Sequence, residues 1–268
     1  MIGFKEKYGK TAMIAGASEG IGAAFANSLA SNGMDLILIA RRPEPLHKLA
    51  AELKALYKIN VTSISCDLSL PNAVEIIEAE INGKEIDILV YNAALSYIGP
   101  FADSSAENNS KIAQVNMLTP LNMLNHFGCK MVARGRGAVI LMSSLAGFQG
   151  SGFLAVYAAT KAFNRILGES LWYEWKNKGV DVIACCAGAT STPGYLDSNP
   201  DQKNSFAPRV QAPGEVATEC LKRLGKTPSF ITGRGNRIAS FVMQKLMLRK
   251  MAIKIMGNTT REMYRIDF

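Results

Sequence analysis

The chain has 268 residues, which suits one large domain or two small ones. Its 48% hydrophobic and 19% charged residues allow a sizeable core and exclude a disordered chain, a collagen and a disulfide-stapled miniprotein. The net charge of +8 lies in the tail, because residues 222–268 hold 11 basic and 2 acidic residues, against 19 and 20 elsewhere. Since the fold itself is almost neutral, we expect no nucleic-acid partner.

The cysteine pattern argues against a metal centre. Five cysteines, an odd number, form no CxxC pair and no metal-ligand spacing, and the chain has only two histidines. We therefore predict no bound metal and reduced thiols. The first ten residues are too polar for a signal peptide, and the longest uncharged stretch, residues 137–160, is broken by glycines and serines. These features favour a cytoplasmic protein without a membrane span.

In chain order, short apolar runs alternate with longer helical patterns. The predicted strands are residues 11–15, 35–40, 61–65, 87–91, 138–143, 180–185 and 229–232. The predicted helices are residues 18–32, 44–57, 71–81, 106–132 and 157–178. Nearly continuous apolar strands are typical of a parallel sheet covered on both faces. We therefore predict an α/β fold, a Rossmann-like doubly wound parallel sheet of about seven strands, in one domain over residues 1–235, followed by a basic helical C-terminal extension over residues 236–268.

The first predicted strand runs into a glycine-rich turn with the spacing GxxxGxG. Glycines let the backbone approach a pyrophosphate, and the N-terminus of the following helix offers free N–H groups and a partial positive charge. An ordinary tight turn between a strand and a helix has the same composition, so the turn alone leaves both interpretations open. The candidate cofactor contacts here are Gly16, Ser18, Glu19, Gly20, Ile21 and Gly22.

The end of the second predicted strand indicates which dinucleotide binds. An enzyme that uses NAD places an acid about 20 residues after the glycines, on the ribose 2′-hydroxyl. Here the strand ends with Arg41 and Arg42. Because guanidinium groups bind phosphate with forked, charge-assisted hydrogen bonds, the pair favours NADP(H). Glu19 is a counter-signal, since a carboxylate repels a 2′-phosphate.

A serine, a tyrosine and a lysine follow the fifth predicted strand. The strand ends near Ser144, and Tyr157 and Lys161 lie four residues apart, on one face of a helix. A lysine ammonium beside a phenol favours the phenolate and lowers the phenol pKa. Such a tyrosine can exchange a proton with a carbonyl oxygen that the serine holds.

In combination, these features resemble the short-chain dehydrogenase/reductase family of single-domain type. The resemblance runs from about Lys10 to Pro193 and is loosely nearest the branch of steroid and 3-ketoacyl reductases. It is carried, in order, by GASEGIG (residues 16–22), Asp67, YNAA (91–94), Asn116, Ser144, YAATK (157–161) and AGATST (187–192). The chain departs from the family pattern at Ala15, Ala94 and Ala187, which puts local rigidity in doubt but not the chemistry.

The resemblance implies a role for each matching residue. Tyr157 would be the acid/base, Ser144 would orient the substrate oxygen, and Lys161 would tune the tyrosine and hold the nicotinamide ribose. Asn116 would anchor a water in a proton relay. The remaining implied cofactor contacts are Asp67 and Leu68 at the adenine, Asn92, Ala93 and Ala94 along the cofactor, and Gly188, Thr190 and Thr192 at the nicotinamide and phosphates. The family also implies hydride transfer between NADP(H) and a carbonyl or secondary alcohol, in a homodimer or homotetramer.

Pro120 adds an expectation that does not depend on the family. A proline cannot donate to the carbonyl four residues earlier, so the Asn116 carbonyl loses its helical partner. We expect a water to replace that partner, and we take this water as the relay water beside Lys161.

The substrate side is expected to be apolar. The residues that we expect to face substrate are Ser96, Tyr97, Leu145, Ala146, Phe148, Phe153, Leu154 and Tyr195, some of which can instead pack the neighbouring loop. Residues 192–213, rich in Pro, Asn, Ser and Asp, are interpreted as a mobile lid. This lining favours a hydrophobic ketone or 3-ketoacyl substrate over a sugar.

Two alternatives remain open at the sequence level. The chain could be a catalytically silent, NADP(H)-binding regulator or scaffold. Its tail, residues 236–257, mixes apolar and basic residues without a clean stripe, which favours helices packed on the domain or on a partner subunit. The same composition also fits a reductase that makes weak contact with a membrane surface through the tail.

Overall fold

The computed structural model of the chain describes residues 3–201 and 209–266. Residues 202–208 of the predicted lid, and the outermost residues at both ends of the chain, lie outside this description. Within it, all seven predicted strands are present and form one sheet. The strands are Thr11–Ala15 (β1), Asp35–Ala40 (β2), Val61–Ser65 (β3), Ile88–Tyr91 (β4), Gly137–Ser144 (β5), Val180–Ala187 (β6) and Ser229–Ile231 (β7).

Every neighbouring pair of strands is parallel, in the order β3-β2-β1-β4-β5-β6-β7. The chain moves outward from β1 to β3 and then returns to build the other half from β4. The order therefore reverses between β1 and β4. In such sheets a crevice opens at the carboxyl ends of the strands at this reversal, and ligands bind there.

Helices cover both faces of the sheet. They are Phe4–Tyr8 (α1), Gly20–Ala30 (α2), Pro43–Tyr57 (α3), Ala73–Ile81 (α4), Ala106–Ala113 (α5), Thr119–Met123 (α6), Cys129–Arg134 (α7), Ala155–Trp175 (α8), Pro193–Asp197 (α9), Pro213–Arg223 (α10), Arg234–Phe241 (α11) and Arg249–Tyr264 (α12). None of these helices is long and apolar enough to cross a bilayer. The predicted helix 106–132 is present as α5–α7, joined by two π-helical turns, Gln114–Leu118 and Leu124–Gly128.

The core consists of two layers, one on each face of the sheet. Along β1, Ile14 packs into one layer, whereas Met13 and Ala15 pack into the other. Both sets are fully buried, which explains why the strands read as continuous apolar runs. The predicted parallel sheet with helices on both sides is confirmed.

One helix boundary differs from the prediction at the glycine turn. The prediction began the helix at Ser18, but α2 begins at Gly20, with Glu19 as the extended N-cap residue. The chain needs residues 16–19 to leave the strand and turn, and Gly16 has a positive φ of 77°. The free N–H groups of α2 consequently start beside Gly20.

Candidate active site

The glycine-rich turn lies where the sheet order reverses. The amides of Gly16 and Ala17 both donate to the Ile39 carbonyl, so the turn is fixed to the end of β2. A Cβ on Gly16 would lie 2.7 Å from the backbone of Ala93, and a Cβ on Gly22 would overlap the Gly16 carbonyl oxygen. Only glycine fits this close approach of β1, α2 and the end of β4. The turn is therefore a tight backbone cradle at the crevice.

The two arginines after β2 lie at the same edge of the sheet, and both are exposed. Arg42 forms an ion pair with Glu19 of the glycine turn. Arg41 acts electrostatically on Asp67, which follows β3. Burial raises the pKa of Asp67, but hydrogen bonds from Ser69 and the charges of Lys111 and Arg41 outweigh it and hold the pKa below its usual value. Two cations and two carboxylates thus share this end of the crevice.

The segment after β4 closes one side of the turn. The Asn92 side chain donates to the Gly16 carbonyl at 2.9 Å, and the amides of Asn92 and Ala93 both donate to the Ala15 carbonyl. Ala94 follows and is exposed. Leu68, from the other predicted contact segment, is buried, and its carbonyl accepts from the Thr119 hydroxyl at 2.8 Å.

The segment after β6 reaches the cradle from the opposite side. A Cβ on Gly20 would meet Thr192 Cγ2 at 2.8 Å, so Thr192 lies directly against the start of α2. The Thr192 hydroxyl also caps α9 by accepting from the Tyr195 amide at 3.3 Å. Thr190 is buried, and its hydroxyl donates to the Gly188 carbonyl at 3.1 Å. The predicted contacts from β1, β4 and β6 are therefore brought together.

Ser144, Tyr157 and Lys161 meet at the carboxyl end of β5. The Ser144 hydroxyl hydrogen-bonds the Tyr157 phenol. Lys161 Nζ lies 5.6 Å from the centre of the Tyr157 ring and donates to the Met142 carbonyl at 3.0 Å. The Ser143 hydroxyl donates to the Lys161 carbonyl at 2.7 Å and so ties α8 to β5. This arrangement groups one hydroxyl, one phenol and one amine, of which the serine and the tyrosine are half-buried and the lysine is buried.

The pKa of Tyr157 differs from the sequence prediction. Burial raises it above its ordinary value, the Ser144 hydrogen bond lowers it, and the Tyr264 phenol raises it further. Burial also lowers the pKa of Lys161 to about 8, against a smaller opposing effect of Cys186. The prediction considered only the attraction between an ammonium and a phenolate. In the folded protein, removal from water disfavours the charged form of both groups.

The Asn116 carbonyl, where we predicted a water, accepts a hydrogen bond from a protein donor. Asn164 Nδ2 donates to this carbonyl at 3.0 Å, and the surrounding backbone is a π-helical turn just before Pro120. Pro120 does disturb the helix as expected, and the water at this carbonyl, which has a second lone pair, stays a prediction. The Asn116 side chain holds the loop after β4, since its Oδ1 accepts from the Leu95 amide and its Nδ2 donates to the Leu95 carbonyl, each at 2.8 Å.

Sequence reasoning missed Asn164. It is fully buried, and its Oδ1 has no hydrogen-bond partner among residues 3–201 and 209–266. It follows Tyr157 by seven residues and Lys161 by three, so it lies on the same face of α8. That spacing was a signal available in the sequence.

Sequence reasoning also missed Tyr264, at the end of α12. Its phenol acts electrostatically on Tyr157 and lies 3.3 Å from the Ser198 hydroxyl, just after α9. The Met263 carbonyl accepts from the Asp201 amide at 2.8 Å. The described part of the tail is therefore helical and packs against the start of the predicted lid. No local pattern signals this contact, because Tyr264 is 107 residues from Tyr157.

The loops expected to face substrate are tied to each other. The Gly99 amide, beyond Ser96 and Tyr97, donates to the Phe153 carbonyl at 2.9 Å. The Phe148 ring packs on the Arg165 guanidinium at 4.6 Å and lines a groove of about 650 Å³ together with Arg249 and Ile253. Tyr157 and Lys161 are not among the described residues that line this groove. That Phe148 faces substrate stays a prediction.

The glycine cradle and the arginines beside it have the chemistry of a dinucleotide site. The cradle of Gly16 and Gly22 has room for no side chain, and two guanidinium groups stand beside it. Among the residues that the structure describes, no three His, Cys, Asp or Glu side chains are grouped so that they could hold a metal. The site has the groups needed to hold phosphates and to exchange a proton at the half-buried Tyr157 phenol.

The chain is similar to several known proteins. The model of the short chain dehydrogenase family matches residues 10–203. A 7beta-hydroxysteroid dehydrogenase of Mediterraneibacter gnavus is 35% identical over 235 residues, which are 87% of this chain and 89% of that protein. A very-long-chain 3-oxoacyl-CoA reductase of Bos taurus is 33% identical over 178 residues, 65% of this chain and 57% of the bovine protein.

Solved structures agree with this similarity. A structure from a study of 7beta-hydroxysteroid dehydrogenase stereoselectivity aligns with a TM-score of 0.90 and 32% identity, over 95% of this chain and 99% of that one. A short-chain dehydrogenase from Sphingobium yanoikuyae in complex with NADPH aligns with a TM-score of 0.74 and 28% identity, over 83% of this chain and 87% of that one. These similarities confirm the resemblance predicted from the motifs, including its steroid and 3-ketoacyl branch.

Proposed function

This chain belongs to the short-chain dehydrogenase/reductase family, and we propose that it transfers hydride between NADP(H) and a hydrophobic ketone or its secondary alcohol, with Tyr157 as the acid/base. The observation that carries this proposal is the cluster of Ser144, Tyr157 and Lys161 at the carboxyl end of β5. The chain is an NADP(H)-dependent oxidoreductase, in agreement with the NADPH complex of the Sphingobium enzyme and with the arginines after β2.

The cofactor supplies the hydride, and the protein supplies position and a proton. Gly16, Gly20 and Gly22 would hold the pyrophosphate against the start of α2. Arg41 and Arg42 would bind the 2′-phosphate. We keep the remaining predicted contacts, at Asp67, Leu68, Asn92, Ala93, Ala94, Gly188, Thr190 and Thr192, as part of this proposal.

Each of these three residues has a distinct role in the proposal. The Tyr157 phenol keeps its proton at neutral pH, because its pKa is raised, and can give it to a substrate oxygen. Ser144, already bonded to the phenol, would hold that oxygen. Lys161, whose pKa of about 8 lies near neutrality, can pass a proton toward the phenolate that remains. Asn116, held in place by Asn164, would position the far end of this proton path.

The apolar substrate class is supported by the relatives and by the lining. The named relatives act on a 7beta-hydroxysteroid and on a very-long-chain 3-oxoacyl thioester. Of the residues expected to face substrate, Leu145, Ala146 and Leu154 are partly or fully buried and apolar, beside the polar cluster. We propose that residues 192–213 act as a lid over the substrate side of the site. We also propose that residues 1–235 form the domain that carries this lid.

The deciding experiment compares wild type with Tyr157→Phe, using NADPH and a panel of steroid ketones and 3-ketoacyl thioesters. We expect wild type to consume NADPH with at least one ketone, and Tyr157→Phe to lose about 10²- to 10⁴-fold in kcat while still binding NADPH. Equal rates for the two proteins would refute the role of Tyr157. If wild type binds NADPH but reduces no ketone, the chain is a silent NADP(H)-binding regulator or scaffold.

We further propose a homodimer or homotetramer that works in the cytosol. Leu118 is exposed on the continuous helical segment α5–α7, and Ile166 and Tyr173 are exposed on α8. These two long helical segments therefore present apolar side chains that a second copy of the chain could cover. All five cysteines are free, which suits a reducing compartment. Light scattering that gives a monomer would contradict the oligomer.

A further inference from the structure

The turn between α11 and α12 exposes an unusual mixture of side chains. We call residues 241–254 the elbow. It contains five exposed large apolar side chains: Phe241, Leu246, Leu248, Met251 and Ile253. Leu246 and Leu248 are 70% and 74% exposed, so packing against the rest of the domain covers little of either side chain. Single exposed leucines are common on the surfaces of soluble proteins. Several exposed apolar side chains in one segment instead indicate a binding surface for a protein or a membrane.

The charges on the elbow have one sign. Its cations are Lys245, Arg249, Lys250 and Lys254, and all four are exposed. None of the four forms an ion pair with a carboxylate anywhere in the described ranges of the chain. From Arg234 to Arg261 the chain has seven basic residues and no acidic one. The natural partner of this surface is therefore both anionic and apolar.

We propose that the elbow is an attachment site for anionic lipid membranes, with its leucines at the level of the acyl chains and its cations among the headgroups. Lysine and arginine can bury their aliphatic stems while their charges stay among lipid phosphates. Anionic leaflets attract such clusters, whereas α11 and α12 are too short and polar to cross the bilayer. The protein would thus lie on a membrane without spanning it.

A second copy of the chain is a weaker candidate for this surface. If the elbow lay on the axis of a two-fold dimer, it would contact the elbow of the second copy. An elbow-to-elbow contact would bring four cations against four cations, with no carboxylate within the elbow to offset the repulsion. Nucleic acid would satisfy the charge but leave Leu246 and Leu248 in a polar interface. Lipid satisfies both features.

Attachment at the elbow leaves the active site free. The far end of α12, at Tyr264, reaches Ser198 and the catalytic tyrosine, about 22 Å along the helix axis from Arg249. Neither the charges nor the leucines of the elbow belong to the catalytic cluster. The attachment itself is independent of the proposed function, although a hydrophobic ketone dissolved in the bilayer would then be held close to the site.

The test is sedimentation of the full-length protein with vesicles of phosphatidylcholine alone, or of equal parts phosphatidylcholine and phosphatidylglycerol. We expect the protein to sediment with the anionic vesicles only, and less as the salt concentration rises. Lys245→Gln with Lys250→Gln should weaken this binding about fivefold per cation removed. Leu246→Ser with Leu248→Ser should weaken it about tenfold or more per leucine.

The matched control changes the same residue types on α3, where Lys54 and Leu56 are also exposed. Lys54→Gln with Leu56→Ser should bind vesicles like wild type. All three variants should bind NADPH normally, which shows that they are folded. The proposal is overturned if wild type sediments with neither vesicle, or if the elbow variants sediment like wild type. It is also overturned if the leucine variant is a monomer where wild type is an oligomer. A third contrary result is binding of the protein to duplex DNA without binding to the anionic vesicles.

Discussion

Lys161 gives the most direct physical test of the candidate site, because its charge is expensive to bury. Burial lowers the pKa of this amine from 10.5 to about 8. At about 1.4 kcal/mol per pH unit, a charged Lys161 at pH 7 costs the folded state about 3 kcal/mol. The variant Lys161→Met keeps a side chain of similar length and removes the charge. It also loses the hydrogen bond to the Met142 carbonyl, worth about 1 kcal/mol.

We therefore expect Lys161→Met to be about 2 kcal/mol more stable than wild type near pH 7. Below the folded-state pKa of about 8, the cost of the charge is present in full, because both the folded and the unfolded chain hold the proton. Between that pKa and 10.5, the unfolded chain keeps a proton that the folded chain has released, so the stability of wild type rises with pH. The advantage of the variant should shrink through this range and vanish near its upper end.

The measurement is urea unfolding of both proteins at a fixed protein concentration, at neutral pH and again near pH 10. Lys48→Met, which changes an exposed lysine on α3, is the control and should alter stability by less than about 0.5 kcal/mol at either pH. Lys161→Met should also lose ketone reduction. A variant that is less stable than wild type at neutral pH, or whose gain does not depend on pH, would refute the account of a buried charge.

Three further predictions follow from the geometry. The double variant Arg41→Ala with Arg42→Ala should weaken NADPH binding about 10- to 100-fold and leave NADH binding unchanged, measured by fluorescence titration; parallel losses for both nucleotides would contradict the 2′-phosphate assignment. Glu19→Gln releases Arg42 from its ion pair and should strengthen NADPH binding selectively, whereas weaker binding would mean that the pair holds the cradle in shape. Asn164→Leu leaves the Asn116 carbonyl without its donor and should cost about 1–3 kcal/mol of unfolding free energy together with kcat, and a variant with wild-type values for both would exclude this positioning role.

Much of the fold was visible in the sequence because parallel strands buried on both faces must be continuously apolar. Runs such as Asp35–Ala40 allow few other structures, and the observed strands lie within two residues of the predicted ends. The glycine turn was visible for a related reason, since a backbone cradle excludes side chains at Gly16 and Gly22. The helical spacing of Tyr157 and Lys161 likewise places them on one face in any α-helix.

The sequence by itself therefore determined the sheet, the glycine cradle and the helix face that carries Tyr157 and Lys161. Only the tertiary structure decided the quantities that depend on surroundings. Burial reversed the predicted pKa shift of Tyr157, because desolvation depends on everything packed around the phenol. Asn164 became the donor to Asn116, and Tyr264 arrived beside Tyr157 from the far end of the chain, since contacts between distant segments are set by how the helices pack. Local patterns encode backbone geometry, whereas dielectric environment and long-range neighbours exist only once the chain has folded.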